Sequence, residues 1–192
     1  MKNIIIMALE AEAPNMAKWE NVFFTGVGKV NAAITTAKLL ERYPDVENVF
    51  NFGTAGSIAP NLSGVHKMGN FVQRDMLCCP FGIPEGQTPF ETYTKLVFDY
   101  EALTCSTGDN FVTDSNISIP ADVVDMEAYA IAKAVLVADC ERGDTDEADF
   151  IIFHCYKYIS DEADESSKDD WHNNVADGEE HYIKIYKEIV NG

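Results

Sequence analysis

The chain has 192 residues and a formal net charge of −18, and because this length suits one globular domain we predict a single domain over residues 1–192. The acidic excess argues against nucleic acid and anionic membranes as partners, because both require a basic protein face. Five cysteines without a CxxC pair and four scattered histidines argue against disulfides and metal sites, so we expect a cytoplasmic protein without metal or cofactor.

Short apolar runs alternate with stretches of helical spacing along the chain. We predict strands at residues 2–8, 22–25, 47–52, 69–74, 103–107, 123–125 and 149–158. Helices are predicted at 30–42, 126–138 and about 166–189, the last with a break near residues 177–178. We interpret the first apolar run as a buried strand rather than a signal peptide, and no run approaches the roughly 20 residues of a membrane-spanning helix. This alternation indicates an α/β class with a largely parallel or mixed sheet.

Polar or small-residue clusters follow five of the predicted strands. They are Glu12, Thr54-Ala55-Gly56 within a predicted loop Gly53–Ser57, Phe111, the segment Asp125-Met126-Glu127 and Asp161. Ligands of such sheets bind in the crevice beyond the carboxyl ends of the strands. We therefore expect the five clusters to converge on one site. The Pro- and Gly-rich segment 78–92 is predicted to be an ordered loop or a lid.

Three carboxylates in these clusters are candidates for acid–base chemistry. An isolated acid is ordinarily a surface residue. Glu127, however, is flanked by apolar residues, Asp161 closes an apolar strand, and Glu12 follows the first strand. Carboxylates at the ends of buried elements are typical of catalytic sites. The nearby Gly26-x-Gly28 turn lacks the third glycine of a dinucleotide fingerprint, and we interpret it as a tight turn into a helix, able to hold an anion or a hydroxyl.

Six motifs together carry a resemblance to a known family. They are Met7-Ala8-Leu9-Glu10-Ala11-Glu12, Gly26-Val27-Gly28-Lys29-Val30-Asn31-Ala32-Ala33, Phe52-Gly53-Thr54-Ala55-Gly56, Gly108-Asp109-Asn110-Phe111-Val112, Val124-Asp125-Met126-Glu127-Ala128 and Ile159-Ser160-Asp161-Glu162-Ala163-Asp164. In this order, and over nearly the whole chain, they resemble the 5′-methylthioadenosine/S-adenosylhomocysteine nucleosidases and their purine nucleoside phosphorylase relatives. The resemblance implies a three-layer α/β fold whose central mixed, partly barrel-like sheet is flanked by helices.

The resemblance also implies a role for individual residues. Glu12 matches the carboxylate that activates the attacking water, and Asp161 the acid that protonates purine N7. Glu127 matches the residue that binds the ribose hydroxyls. The remaining substrate-binding positions implied are Met126 against the sugar, Phe111 stacked on the base, Val112 at the base edge, Thr54 near the anomeric carbon, and Ala55, Gly56, Asp125 and Ser160. A purine nucleoside and water are the expected reactants, and a homodimer the expected assembly.

Other functions stay open at this point. A phosphate-dependent phosphorylase would hold phosphate with arginines, and of the three arginines Arg42 and Arg142 are interpreted as surface residues, Arg142 in an acidic loop. Arg74 could pair with Asp75 or meet a phosphate, and with Lys29 it could select a purine 5′-monophosphate. A catalytically silent nucleoside-binding module is a third possibility, although pure binding would not require an acid–base pair. Segments 13–21 and 78–92 depart from the family, so the 5′ substituent is left open.

Overall fold

A mixed sheet of eight strands forms the centre of the protein, as described for residues 1–114, 117–142 and 150–192 in a computed structural model. The strands are β1 (Asn3–Met7), β2 (Val22–Phe24), β3 (Asn48–Ser57), β4 (Gly64–Gln73), β5 (Leu96–Val97), β6 (Leu103–Thr107), β7 (Val123–Asp125) and β8 (Ile152–Asp161). The α-helices are α1 (Lys29–Arg42), α2 (Ala128–Arg142), α3 (Ser167–Asn174) and α4 (Glu179–Asn191). Short 3-10 turns lie at Glu10–Glu12, Met16–Lys18 and Cys79–Phe81.

Strand pairing closes part of this sheet into a ring. The path runs β2-β1-β3-β7-β6-β4-β5, and β8 pairs with both β3 and β4. Strands β3, β7, β6, β4 and β8 therefore form a closed circuit. The β3–β7, β4–β5 and β4–β8 pairs are antiparallel and the others are parallel. The predicted α/β fold with a mixed, partly barrel-like central sheet is confirmed.

Alternation along β1 shows why the sheet needs helices on both faces. Ile4 and Ile6 belong to the cluster that includes Leu39 of α1 and Ile131 of α2. Their neighbours in sequence, such as Ile5, belong to the opposite cluster, where α4 contributes the fully buried Tyr182. Successive strand side chains point to opposite faces, so a continuous apolar run is required when both faces are covered. Among the described residues, no helix has the length and apolarity to cross a membrane.

The run of small residues after Phe52 is a strand, and its prediction as a loop was wrong. Strand β3 continues through Gly53, Thr54, Ala55 and Gly56 to Ser57. The run pairs with β8 along one edge and with β7 at its end. Hydrogen-bonded neighbours on both sides outweigh the low strand propensity of Gly and Ala.

Helix and strand boundaries near the site also differ from prediction. Helix α2 continues to Arg142, whose guanidinium donates to Val46 O and Pro44 O, so this arginine ends a helix rather than lying in a loop. Strand β8 extends to Asp161, and the predicted start at Asp149 lies outside the described residues. The predicted break before α4 is confirmed. The short strand β5 had no sequence signal beyond two apolar residues.

Candidate active site

All the residues predicted for catalysis or substrate binding line one cavity. They are Glu12, Thr54, Ala55, Gly56, Phe111, Val112, Asp125, Met126, Glu127, Ser160 and Asp161. The other lining residues are Ala8, Leu9, Val27, Arg74, Asn110, Val124 and Trp171. The five clusters thus converge as expected, because β3, β7 and β8 deliver their ends to the same place. No residue of segment 78–92 is among the described residues that line this cavity.

Glu12 is held by hydrogen bonds to both of its carboxylate oxygens. Oε2 accepts from the backbone amides of Ala8, at 3.1 Å, and Leu9, at 3.0 Å. Oε1 accepts from the amide and the hydroxyl of Thr54, at 2.9 and 3.1 Å. The 3-10 turn after β1 folds the side chain back onto its own amides, and β3 supplies the other two donors. The buried carboxylate is therefore fixed in position.

The small residues of β3 make room for the two candidate catalytic carboxylates. A Cβ atom on Gly53 would lie 3.0 Å from Oε1 of Glu12, and one on Gly56 would lie 2.6 Å from Oδ1 of Asp161. The Gly56 distance is shorter than real Cβ atoms essentially ever show, and the Gly53 distance is tighter than nine in ten real Cβ contacts. Glycine at these two positions is therefore what lets acids from β8 and from the turn after β1 pack directly on the strand.

Asp161 ends β8 with a buried carboxylate. Its Oδ2 accepts from the Ser160 hydroxyl at 2.8 Å, and its Oδ1 accepts from the Ala163 amide at 3.0 Å. Ala163 has a left-handed backbone, with φ of 51°, which is unfavourable for a residue with a side chain and is found at functional sites. This turn aims the carboxylate back at the cavity. The Ser160 hydroxyl also lies 3.4 Å from Ala55 O.

Glu127 is a buried acid at the junction of β7 and α2. Its Oε1 accepts from the Gly28 amide at 2.9 Å, so the Gly26-x-Gly28 turn binds a carboxylate of the protein itself. Burial, reinforced by the neighbouring Asp125 charge, raises the pKa of Glu127 to about 7. Its charge is consequently sensitive to pH near neutrality.

Asp125 forms an ion pair with Lys157 inside the protein. The ammonium and carboxylate are 3.0 Å apart, with side-chain exposures of 2% and 1%. The same carboxylate accepts from Thr107 Oγ1 and from the amides of Glu127 and Ala128. Burial alone would raise the pKa of Asp125, but Lys157 and these donors together hold it below its ordinary value. The carboxylate is therefore occupied by protein partners, and its predicted contact with substrate stays a prediction.

Lys157 was missed by sequence reasoning, although a signal for it exists. Burial disfavours its charge, but the Asp125 carboxylate outweighs that effect and holds the pKa of the ammonium well above its ordinary value. From Ile152 to Ile159 every second position of β8 is buried, and these positions are Phe153, Cys155, Lys157 and Ile159. A lysine in phase with buried apolar residues at a period of two indicates an inward-facing charge, which requires a buried partner.

Arg74 connects the loop that carries Phe111 to the ends of two strands. Its guanidinium donates to four backbone carbonyls, those of Ser106, Asp125, Gly108 and Asn110. A Cβ on Gly108 would lie 2.9 Å from Arg74 Cγ and Cζ, so glycine is needed where the side chain passes. The foreseen pairing of Arg74 with Asp75 is not seen, because Asp75 pairs with Lys29 instead.

A second charged group involves Asp75 and Asp109, which are next in sequence to the cavity-lining residues Arg74 and Asn110. The Lys29 ammonium contacts Asp75 and lies 4.0 Å from Asp109. The Lys29 amide donates to Asp109 Oδ1 at 2.7 Å, and the Asp109 amide donates to Asp75 Oδ2 at 2.8 Å. The start of α1, the end of β4 and the loop after β6 therefore meet at one point.

Trp171 of α3 also lines the cavity, and sequence reasoning did not single it out. Its indole Nε1 donates to Thr54 Oγ1 at 3.0 Å. A single large aromatic residue in an otherwise polar helix was the only available signal. For metal binding, the described ranges contain no group of three or more His, Cys, Asp or Glu side chains placed to hold an ion.

Comparison with known proteins agrees with this geometry. The family model described as the phosphorylase superfamily matches residues 21–191. A 5′-methylthioadenosine/S-adenosylhomocysteine nucleosidase of Anoxybacillus flavithermus is 34% identical over 141 residues, which cover 57% of this chain and 58% of the relative. The chain thus matches less than two thirds of the length of that curated relative.

Two solved structures share the fold over nearly their whole length. A mutant of Helicobacter pylori MTAN with 5′-methylthioadenosine in its active site has a TM-score of 0.82 at 19% identity, covering 99% of this chain and 98% of that one. Futalosine hydrolase of Helicobacter pylori has the same TM-score and identity, covering 100% and 97%. With the family model matching almost the entire sequence, the chain belongs to the phosphorylase superfamily.

Proposed function

We propose that the protein hydrolyses the N-glycosidic bond of an adenine nucleoside such as 5′-methylthioadenosine or S-adenosylhomocysteine. Glu12 activates the attacking water, and Asp161 protonates N7 of the departing purine. The observation that carries this proposal is that two buried carboxylates with different hydrogen-bonding surroundings line one cavity. The names of the relatives found above support the same reaction.

The surroundings of Glu12 suit a base. Three of its four donors are backbone N–H groups, which cannot accept a hydrogen bond in return. The four donors leave both carboxylate oxygens acting as hydrogen-bond acceptors. An ionised carboxylate can take a proton from water and can also stabilise positive charge developing on the ribose.

The surroundings of Asp161 suit an acid that changes its protonation state during the reaction. The Ser160 hydroxyl can donate to the ionised carboxylate at 2.8 Å. When Asp161 is protonated, the hydroxyl can turn towards Ala55 O, 3.4 Å away, and accept from the acid. A partner able to serve both states helps the acid to protonate N7, a contribution of typically 10²–10⁴-fold in rate.

The other lining residues suit the remaining parts of a nucleoside. We assign Glu127 to the ribose hydroxyls with Met126 against the sugar, Phe111 to stacking on the base, and Val112 to its edge. Phe111 is 46% exposed at the cavity, so one face of its ring is available to a planar ligand. Asp125 supports this arrangement through the amides of Glu127 and Ala128.

Hydrolysis is favoured over phosphorolysis and over a 5′-monophosphate substrate. Of the described residues that line the cavity, Arg74 is the only cation, and four backbone carbonyls accept hydrogen bonds from its two terminal nitrogens. Lys29 is engaged by Asp75 and Asp109. A bound phosphate would need cationic donors aimed into the site, and these two groups are directed elsewhere.

A substrate panel tests the proposal. Adenosine, 5′-methylthioadenosine, S-adenosylhomocysteine, inosine and AMP are each incubated with and without phosphate, and free base is measured chromatographically. We expect free adenine from 5′-substituted adenine nucleosides without phosphate. The Glu12→Gln and Asp161→Asn variants should lose at least about 100-fold in rate. A strict need for phosphate would contradict the proposal, as would hydrolysis unchanged in Asp161→Asn.

We further propose that the protein is a cytoplasmic homodimer. An alanine-rich groove between α1 and α2 is flanked by Val30 and Val137, which are 67% and 45% exposed. Apolar surface of this kind suits association with a second copy. Sedimentation velocity should give a dimer for the wild-type chain and a monomer for Val30→Glu/Val137→Glu, and a wild-type monomer would contradict the assembly.

The proposed cytoplasmic location is supported by the cysteines. All five are free thiols, which suits a reducing compartment.

A further inference from the structure

We propose that Trp171 is a positioning residue for the general base. Its indole N–H orients the Thr54 hydroxyl, which then completes the hydrogen bonds that fix Glu12. The inference rests on the proposed hydrolysis and adds a residue from α3, which was not among the predicted site residues.

The geometry forms a directed chain of two hydrogen bonds. Trp171 Nε1 lies 3.0 Å from Thr54 Oγ1, and Thr54 Oγ1 lies 3.1 Å from Glu12 Oε1. An indole nitrogen only donates, and an ionised carboxylate only accepts. The hydroxyl between them must therefore accept from Trp171 and give its single hydrogen to Glu12. Donors and acceptors arranged in such a chain polarise and strengthen one another.

Without the indole N–H, the direction in which the Thr54 hydroxyl donates its hydrogen would no longer be fixed. A threonine hydroxyl carries one hydrogen and rotates to suit its surroundings, so a water or a substrate hydroxyl in the cavity could draw that hydrogen away from Glu12. The Thr54 amide would still donate to the same oxygen at 2.9 Å. We therefore expect the Glu12 carboxylate to stay in place but to lose its fixed orientation. This loss should slow the reaction more than it weakens binding of the nucleoside.

The position of α3 supports a role beyond packing. Trp171 lines the same cavity as Thr54 and Glu12. Three residues later, Asn174 Nδ2 donates to Ser160 O at 2.9 Å, beside Asp161. Helix α3 is thus hydrogen-bonded through Trp171 to β3, the strand whose Thr54 holds Glu12. Through Asn174 it is hydrogen-bonded to β8, the strand that ends in Asp161.

The kinetic test removes the N–H and keeps the aromatic ring. Trp171→Phe should lower kcat about tenfold, with KM for 5′-methylthioadenosine changed less than about twofold. In the Thr54→Val protein, adding Trp171→Phe should not lower kcat further, because the hydroxyl that accepts the indole hydrogen bond is already absent. The matched control is Trp19→Phe, since Trp19 packs on Tyr186 outside the site, and its kcat should equal that of the wild type. A Trp171→Phe variant that changes KM alone would overturn the inference and leave Trp171 as a wall of the pocket.

A second readout does not depend on turnover. The chain has two tryptophans, so an isotope-labelled sample gives two indole N–H signals in an NMR spectrum. Thr54→Val should shift the Trp171 signal and speed its exchange with solvent while leaving the Trp19 signal unchanged. If neither signal moves, the hydrogen-bond chain is absent and the inference is overturned. A wild-type protein that cleaves no nucleoside would contradict the proposed hydrolysis instead, while the indole signals would still decide whether the chain exists.

Discussion

The ammonium of Lys157 lies 3.0 Å from the carboxylate of Asp125, and both side chains are almost fully buried. This pair connects β8 to the end of β7, where the chain turns into Glu127. Breaking a buried pair by removing one partner leaves an uncompensated charge. The pair therefore makes the stability of the core and the placement of Glu127 depend on each other.

Removing the Lys157 charge should destabilise the whole protein. We expect Lys157→Met to lower the free energy of unfolding by about 3–5 kcal/mol, measured by urea denaturation. The matched control is Lys184→Met, because Lys184 and Glu188 are 75% and 64% exposed and 3.9 Å apart. An exposed pair of this kind contributes roughly 0.3–0.5 kcal/mol. Equal effects in the two variants would contradict the ion pair.

Glu127 should make stability fall as the pH rises towards neutrality. Its pKa in the folded protein is about 7 against an ordinary value of 4.5. Between these values the folded protein keeps a proton that the unfolded chain releases, so stability falls by about 1.4 kcal/mol for each pH unit. Glu127→Gln has no carboxyl group to titrate at this position. The free energy of unfolding of the variant should therefore be higher, relative to that of the wild type, at about pH 8 than at about pH 5. A difference between the two proteins that is the same at both pH values would contradict the raised pKa.

Gly56→Ala should lower activity strongly by displacing Asp161. The added methyl group would lie 2.6 Å from Asp161 Oδ1 and 3.2 Å from Val124 Cγ2, so the carboxylate must move. We expect at least about a 100-fold loss in kcat/KM, with the protein still folded by circular dichroism. Gly82→Ala is the matched control: it meets no atom within 4 Å but has φ of +73°. It should lower stability by about 1 kcal/mol and leave activity intact. Full activity in Gly56→Ala would show that the placement of Asp161 does not matter.

Gly108→Ala should weaken binding of the base. Its methyl group would press on the Arg74 side chain at 2.9 Å, and Arg74 holds the Gly108 and Asn110 carbonyls that precede Phe111. We expect KM for adenine nucleosides to rise about tenfold, with a smaller change in kcat. Steady-state kinetics measures this split. An unchanged KM would mean that Arg74 does not control the position of Phe111.

Sequence patterns predicted the helices α1 and α2, most strands and many of the cavity-lining residues, because these depend on local periodicity and on ordered motifs. They could not place the Lys157–Asp125 pair, since residues 32 positions apart become partners only through the separate pairing of β3 with β8 and with β7. The run Gly53–Ser57 was wrongly predicted as a loop for the same reason: its strand structure comes from neighbours on both edges rather than from its own residues. Trp171 reaches Thr54 across 117 positions, and no short pattern reveals such a contact.

The attack of water on the ribose is the central claim, and it can be measured directly. The protein is incubated with 5′-methylthioadenosine in heavy-oxygen water containing phosphate, and the sugar product is analysed by mass spectrometry. We predict a free sugar carrying one heavy oxygen atom at its anomeric position, with adenine released in equal amount. A sugar phosphate without the heavy atom, or no release of adenine, would contradict the account.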